Sequence, residues 1–302
     1  MPAAELAFHA MGGQAHLLVI GGRHLLDEGR RLVEALEARW SRFRPDSDVA
    51  RLNRAGGAPV RVTPETLLIM SLVVDGWKLT AGRFDPTVVR ALEANGYDRT
   101  FAEVVRGRGG PVVAVPAPGL QCVVHDVAGG TVTMPPDVGI DLGGVGKGAA
   151  ADLVVLELLA AGARGVCLNL GGDLRVSGQA PQPGGWVVAV EDPFRPEREL
   201  ARIAIGDGAV ATSSRLVRTW QRGEGSYHHL IDPRSGLPCD NGLAAVTVVA
   251  GCAWWAEVLA TATMVAGAAD GARLLAAHDV TGMLVDDLGR ERTLPGFREL
   301  MV

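Results

Sequence analysis

One segment, DLGGVGKGAAAD at positions 141–152, limits what this chain can fold into more than any other stretch. Glycine has no Cβ, so backbone N–H groups in such a run can approach a ligand closely, and a helix starting there adds a dipole that favours an anion. Lys147 brings a mobile positive charge. Apolar residues from Val138 precede the run, a helix from about Lys147 to Ala161 follows it, and an apolar strand, Gly165 to Leu170, comes next and ends in NLGGD. That order predicts a strand, helix, strand unit with the glycines at its first turn. The reading is a nucleotide pyrophosphate gripped between Asp141 and Gly148, although a tight turn carrying one solvated lysine fits the same residues.

Two phosphate-binding patterns compete for the segment. A P-loop requires glycine five residues before Gly146 and Ser or Thr after Lys147, where this chain has Asp141 and Gly148, so that pattern fails. The spacing Gly144, Gly146, Ala149 does satisfy a dinucleotide-binding turn, with Asp173 available as the acid that holds a ribose. Against it, Asp141 would aim a carboxylate at the pyrophosphate, whereas a metal, ribose or base contact would give that carboxylate a purpose.

Elsewhere the pattern is mixed. Leu26, Leu32, Val33, Leu36 and Trp40 recur at helical spacing from Leu25 to Trp40, and a polar loop, SRFRPDSDVARLN, leads into a helical turn ending near Asn53. Thr63 caps, and Pro64 opens, a helix reaching about Leu79. Short β-type runs stand at His16–Ile20, Val187–Val190, Ile203–Ile205 and Val246–Val249 without regular βα alternation. The prediction is therefore α+β, with mixed sheets and packed helices in place of a doubly wound sheet. The Gly/Pro-rich stretches 107–119 and 178–185 read as loops, so all 302 residues are expected to form a single domain.

An apolar content of 48% supports a sizeable core, and 29 basic against 34 acidic side chains, with no basic patch, argue against nucleic acid as a partner. Ala244–Ala269 is long enough to cross a bilayer, but Glu257 and Gly251 interrupt it and its two halves differ in pattern; strand, turn and buried helix is the expectation, with no transmembrane segment. The four cysteines lie far apart and read as reduced, packed thiols. The N-terminus shows neither a basic region nor a long apolar one, so the expected location is the cytoplasm unless a leader was removed.

Two further groups carry chemistry. In YHHLIDPRSG, strand alternation puts His228 and His229 on opposite faces, one towards solvent, while Pro233 and Gly236 make a turn in which Asp232 can serve as an Asx cap. In AEVLATAT, Glu257 and Thr261 lie four apart on one helix face and offer hard oxygens of the kind Mg²⁺ prefers, among apolar neighbours that supply no cation.

Taken together, HAMGG, SRFRPDSDVARLN, FDPTV, DLGGVGKGAAAD, NLGGD, AVATSS, HLIDPRSG and AEVLATA, in that order, resemble the ApbE family of FAD:protein FMN transferases along nearly the whole chain. The resemblance implies an ApbE-like (T-fold-like) architecture that is not a Rossmann fold. It implies FAD as substrate, Mg²⁺, and transfer of FMN to a Thr or Ser hydroxyl of an acceptor flavoprotein with release of AMP; some relatives instead hydrolyse FAD, and a flavin-binding protein without turnover is a third possibility. Carried over by motif, Met11, Phe43, Asn53, Phe84, Asp85, Thr87, Asp141, Lys147 and the backbone of Ile231 would contact FAD. Gly144 through its carbonyl, Glu257 and Thr261 would hold the metal, His229 would be the base, and Asp232 would orient it or the metal site. Three positions depart from the family: Glu257 where Asp is usual, Gly13 in place of a threonine, and Ser214 in place of a glycine.

Overall fold

The computed structural model describes residues 3–104 and 112–302, so residues 107–111 of the first expected Gly/Pro loop lie outside the described residues, and 112–119 is loop as expected. Six helices are labelled here: α1 (Leu26–Trp40), α2 (Asp48–Arg54), α3 (Pro64–Leu79), α4 (Val89–Ala94), α5 (Gly146–Ala160) and α6 (Ala253–Ala277). They accompany an eight-stranded sheet ordered Ala3–Ala10, Gly13–Ile20, Gly165–Leu170, Asp173–Gly178, Gly208–Ser214, Leu243–Ala250, Thr281–Asp286, Glu291–Thr293. Every neighbouring pair is antiparallel. A dinucleotide fold needs parallel strands joined by crossovers, so this sheet removes that alternative and bears out α+β.

Both faces of the sheet are covered, and strand alternation decides which residue goes where. Leu17, Val19, Val166, Leu168, Ala211, Val246 and Val248 point into the main core beneath the helices. Ile20, Val176, Val210 and Met283 point the other way, against the hairpin Trp186–Asp192/Arg195–Ile205 and the buried Phe297. A third, aromatic cluster of Leu92, Tyr97, Trp220 and Ile231, with Phe43 packed on it, caps one end. The apolar stretch resolves as expected into a strand and a helix; α6 is long and apolar enough to span a membrane by composition alone, but it packs on α5 and on the strands Gly208–Ser214 and Leu243–Ala250.

Two hairpin turns meet at the end of the sheet beside α5. Ala10 pairs with Gly13 across Met11 and Gly12 (φ 52° and 74°), and Leu170 pairs with Asp173 across Gly171 and Gly172 (φ 62° and 99°). Two positive φ values are what a two-residue turn matched to strand twist demands, which explains the paired glycines of NLGGD. Met11 meets the same demand with a side chain, at a cost of order 1 kcal/mol. The strand before it, Ala3–Ala10, was not expected, because its small alanines give a weak alternating signal.

The expected strand from Val138 is absent. Residues 138–142 join no sheet, because their polar groups are satisfied elsewhere. Asn53 at the end of α2 donates its amide to the Ile140 carbonyl (2.9 Å) and accepts the Ile140 N–H (2.8 Å), and Asp141 N donates to Pro86 O. One side-chain amide thus replaces a neighbouring strand.

Helices α5 and α6 cross closely at their first turns. A Cβ on Gly148 would lie 2.3 Å from the Ala253 carbonyl oxygen, a backbone atom that cannot swing away. Each helix caps the other: Gly148 N donates to Glu257 Oε2 (2.8 Å), and Ala253 N and Trp254 N donate to the two oxygens of Asp152 (both 2.9 Å). Neither helix has a capping side chain of its own, so these contacts satisfy end groups that would otherwise be buried unpaired. Gly148→Ala is expected to destabilise the fold by about 1–3 kcal/mol through overpacking, read as a lowered urea midpoint. Gly206→Ala, which meets open space, should stay within about 0.5 kcal/mol.

Candidate functional site

The hairpin turns, the start of α5, the start of α6 and the aromatic cap enclose a cavity of about 480 Å³. Eleven of the fourteen residues singled out from the sequence line it, so the motifs scattered along the chain do converge: Met11, Phe43, Phe84, Asp85, Asp141, Gly144, Lys147, His229, Ile231, Glu257 and Thr261. Asn53, Thr87 and Asp232 do not. Asn53 anchors Ile140, and buried Thr87 donates to Asp85 Oδ1 (2.6 Å) while accepting from Gly119 N (2.9 Å). Asp232 makes the Asx turn, accepting from Arg234 N at 3.0 Å.

The glycine-rich segment proves to be short of free donors. Gly143 N donates to Asp141 Oδ1, Val145 N and Gly146 N to the Leu142 carbonyl, and Gly148 N to Glu257. Its surroundings are acidic as well, with Asp141, Asp173 and Glu257 on the cavity wall. Positive charge comes from side chains: Arg42, Arg44, Arg83, Lys147 and Arg218. An anion here meets these cations more than a nest of amides.

Lys147 lies between two carboxylates, in contact with Asp173 Oδ2 and 3.1 Å from Glu257 Oε1. It is the cation that the sequence of α6 lacks. Burial pushes the Glu257 carboxyl above the usual range while Lys147 and the Gly148 N–H pull it down. Two buried carboxylates against one ammonium leave an excess of negative charge, and the Asp173 Oδ2 and Glu257 Oε1 atoms have no hydrogen-bond partner of good geometry. Thr261 Oγ1 lies 3.3 Å from Ser213 Oγ, and a Cβ on Gly144 would sit 3.3 Å from both Thr261 Oγ1 and the Phe84 ring. Among the described residues no group of three or more His, Cys, Asp or Glu forms a metal site. The donor set here is mixed instead: one unpartnered carboxylate oxygen of Glu257 and the hydroxyls of Thr261 and Ser213. Hard oxygen donors of this kind fit Mg²⁺.

On the opposite wall, Arg42 is almost wholly buried. Its Nε lies 2.5 Å from Asp141 Oδ2, it donates to the Tyr97 carbonyl (2.6 Å), and its guanidinium stacks over the Phe43 and Tyr97 rings at 4.1 and 4.9 Å. This gives Asp141 a purpose: it fixes the arginine that braces the aromatic face. Asp85 is engaged on both oxygens, accepting from Thr87 N and Oγ1 and from Trp77 Nε1, and burial raises its pKa.

His228 is buried and His229, partly exposed, opens on the cavity, so alternation does not put one of them on a free solvent face. The strand Gly225–His228 ends between them, so the period of two does not reach His229. His228 is buried with its ring nitrogens near the Cys239 carbonyl and the Leu230 N–H. His229 lines the cavity with a buried, unpartnered Nδ1. Burial first, and then the charges of Arg218, His228 and Lys147, push its pKa down to about 3.

Sequence reasoning missed Arg42, Tyr97, Ser213 and Arg218, and assigned Asp173 a role that belongs to another fold. Arg42 stands beside Phe43 in a motif already noted, and Ser213 is in AVATSS, where alternation from Ala211 would have pointed it inward. Tyr97 and Arg218 sit in no motif.

The low His229 pKa has a stability consequence. The unfolded ring takes up a proton near 6.5 and the folded ring only near 3, so the unfolded state binds more protons in between. The contribution is complete above about pH 7 and is lost as pH falls through that window. Urea midpoints measured from about pH 7.5 down to 4.5 are expected to fall, and His229→Gln should flatten that slope.

Residues 11–284 match the sequence model of the ApbE family. The chain is 27% identical over 285 residues to the FAD:protein FMN transferase of Vibrio cholerae serotype O1, covering 93% of this chain and 83% of that protein. It is 32% identical to the FAD:protein FMN transferase of Rhodobacter capsulatus over 81% of this chain but 47% of that longer protein. The crystal structure of the ApbE protein from Thermotoga maritima superposes with a TM-score of 0.88 at 26% identity, over the full length of both chains.

Proposed function

Because this chain belongs to the ApbE family, we propose that it transfers the FMN moiety of FAD to a threonine or serine hydroxyl of an acceptor flavoprotein, releasing AMP, with Mg²⁺ as cofactor. The observation that carries this reading is the meeting, in one cavity, of a braced aromatic face at Phe43, the cations Lys147 and Arg218, and the oxygen donors around Glu257. An aromatic face together with cations and oxygen donors suits a flavin dinucleotide with a pyrophosphate between its two halves.

In the reaction, the acceptor hydroxyl oxygen attacks the FMN phosphorus. The phosphorus bond to the bridging oxygen breaks, AMP leaves with that oxygen, and the hydroxyl proton passes to a base. Lys147 and Arg218 offset the negative charge that builds on the phosphoryl oxygens. His229 is the base assigned here: its unpartnered Nδ1 is neutral at physiological pH and so is free to accept a proton. A pyrophosphate beside Arg218 and Lys147 cancels two of the influences that depress this ring, making it a better base with substrate present than without. Glu257 Oε1, Thr261, Ser213 and the Gly144 carbonyl would hold Mg²⁺, which supplies Lewis-acid neutralisation of the pyrophosphate. Asn53, Thr87 and Asp232 support this arrangement from behind, through Ile140, Asp85 and the turn after Ile231.

The test is chromatography and intact-protein mass spectrometry of the purified chain with FAD and Mg²⁺, alone and with a panel of apo-flavoproteins that bear an acceptor threonine. An acceptor gaining the mass of FMN, with equimolar AMP, is the expected result, and Lys147→Ala should slow it by about 10²–10³-fold. Free FMN and AMP without an acceptor would instead identify a pyrophosphatase; FAD retained unchanged would identify a binding protein.

A further inference from the structure

The two oxygens of Glu257 face different partners. Oε2 accepts the Gly148 N–H at 2.8 Å within the tight crossing of α5 and α6, which leaves Oε1 as the oxygen with no hydrogen bond. Lys147 already holds that atom at 3.1 Å. An ammonium and a divalent cation cannot share one buried carboxylate oxygen without strong repulsion between them. Lys147 also has a second partner, Asp173, on a different element: it begins a strand directly after the Gly171–Gly172 turn, a rigid point of attachment. Asp173 is almost fully buried, and among the described residues Lys147 is the cation it pairs with.

We infer that Lys147 is a resident ammonium that competes with the divalent cation for Glu257 Oε1, and that Asp173 is a positioning residue, the seat to which Lys147 retreats when the cation binds. The inference rests on the proposed reading only in taking Glu257 as a cation ligand. It keeps Glu257 Oε1 occupied by Lys147 while no cation is present, so the cation binds weakly by itself. A pyrophosphate that draws Lys147 towards its own charge would release Oε1, so cation and nucleotide would load together.

The test uses Mn²⁺ alone, titrated into the full chain without nucleotide and followed by loss of the free-ion EPR signal, with circular dichroism confirming that each variant is folded. Lys147→Met is expected to bind Mn²⁺ about tenfold or more tightly, and Asp173→Asn to bind it more weakly, in line with the effect of one nearby charge on an ionic equilibrium. Glu257→Gln should abolish binding at this site. In the double variant the effect of Asp173→Asn should shrink sharply, since its action passes through Lys147, and Asp173→Glu should restore parental affinity. Lys147→Met binding no more tightly than the parent, or Asp173→Asn weakening binding as much without Lys147 as with it, would overturn the inference. FMN transfer by the parent with either of those results leaves the proposed function standing. Opposite shifts without any FMN transfer leave the competition standing and remove that function.

Discussion

The contact between the first turns of α5 and α6 is the constraint from which the rest of the site follows. Gly148 lies against the backbone of Ala253, closer than any side chain would permit, and each helix end is capped by a carboxylate from the other. Because those carboxylates are Glu257 and Asp152, the same bonds that fix the crossing angle fix where Glu257 points. The chemistry is therefore not hung on a loop. It is built into the seam between two core helices, both of which also pack against strands of the central sheet.

At that seam Glu257 stands where the resembled family usually has aspartate. The longer side chain spans from α6 to the Gly148 N–H and still presents its second oxygen to the cavity. A shorter carboxylate at this position has less reach to do both. The hydroxyls of Thr261 and Ser213 stand close enough to complete an oxygen-rich corner.

Much of this was legible in the sequence, and the failures have physical causes. Helices α1, α3 and α5 and the strand Gly165–Leu170 fall within a residue or so of their expected limits, since periodicity and the Thr63–Pro64 start are local signals. The strand at Val138 was wrong because its pairing partner is the Asn53 side chain, which no local pattern reveals. The two histidines were misjudged because the strand ends between them. Most of the site residues converge as their motifs imply, but Arg42 and Arg218 owe their importance to partners distant in the chain, Asp141 and the Met11–Gly12 turn among them. Asp173 was noticed for the wrong reason: it follows a glycine pair that a hairpin requires, and its real partner is Lys147.

The suspension of Ile140 from one amide bears on the mechanics of the cavity. A wall woven into the sheet would shift only by breaking a ladder of bonds in concert, whereas the 138–142 segment is tied to α2 by two bonds from a single side chain and to Pro86 by one more. Opposite it, the wall made by α5 and α6 is clamped at every cap. The cavity thus has one wall whose charged groups are set by caps between helices and another whose backbone is hung on one amide, so that Asn53 sets where Asp141 and, through Arg42, the aromatic face stand.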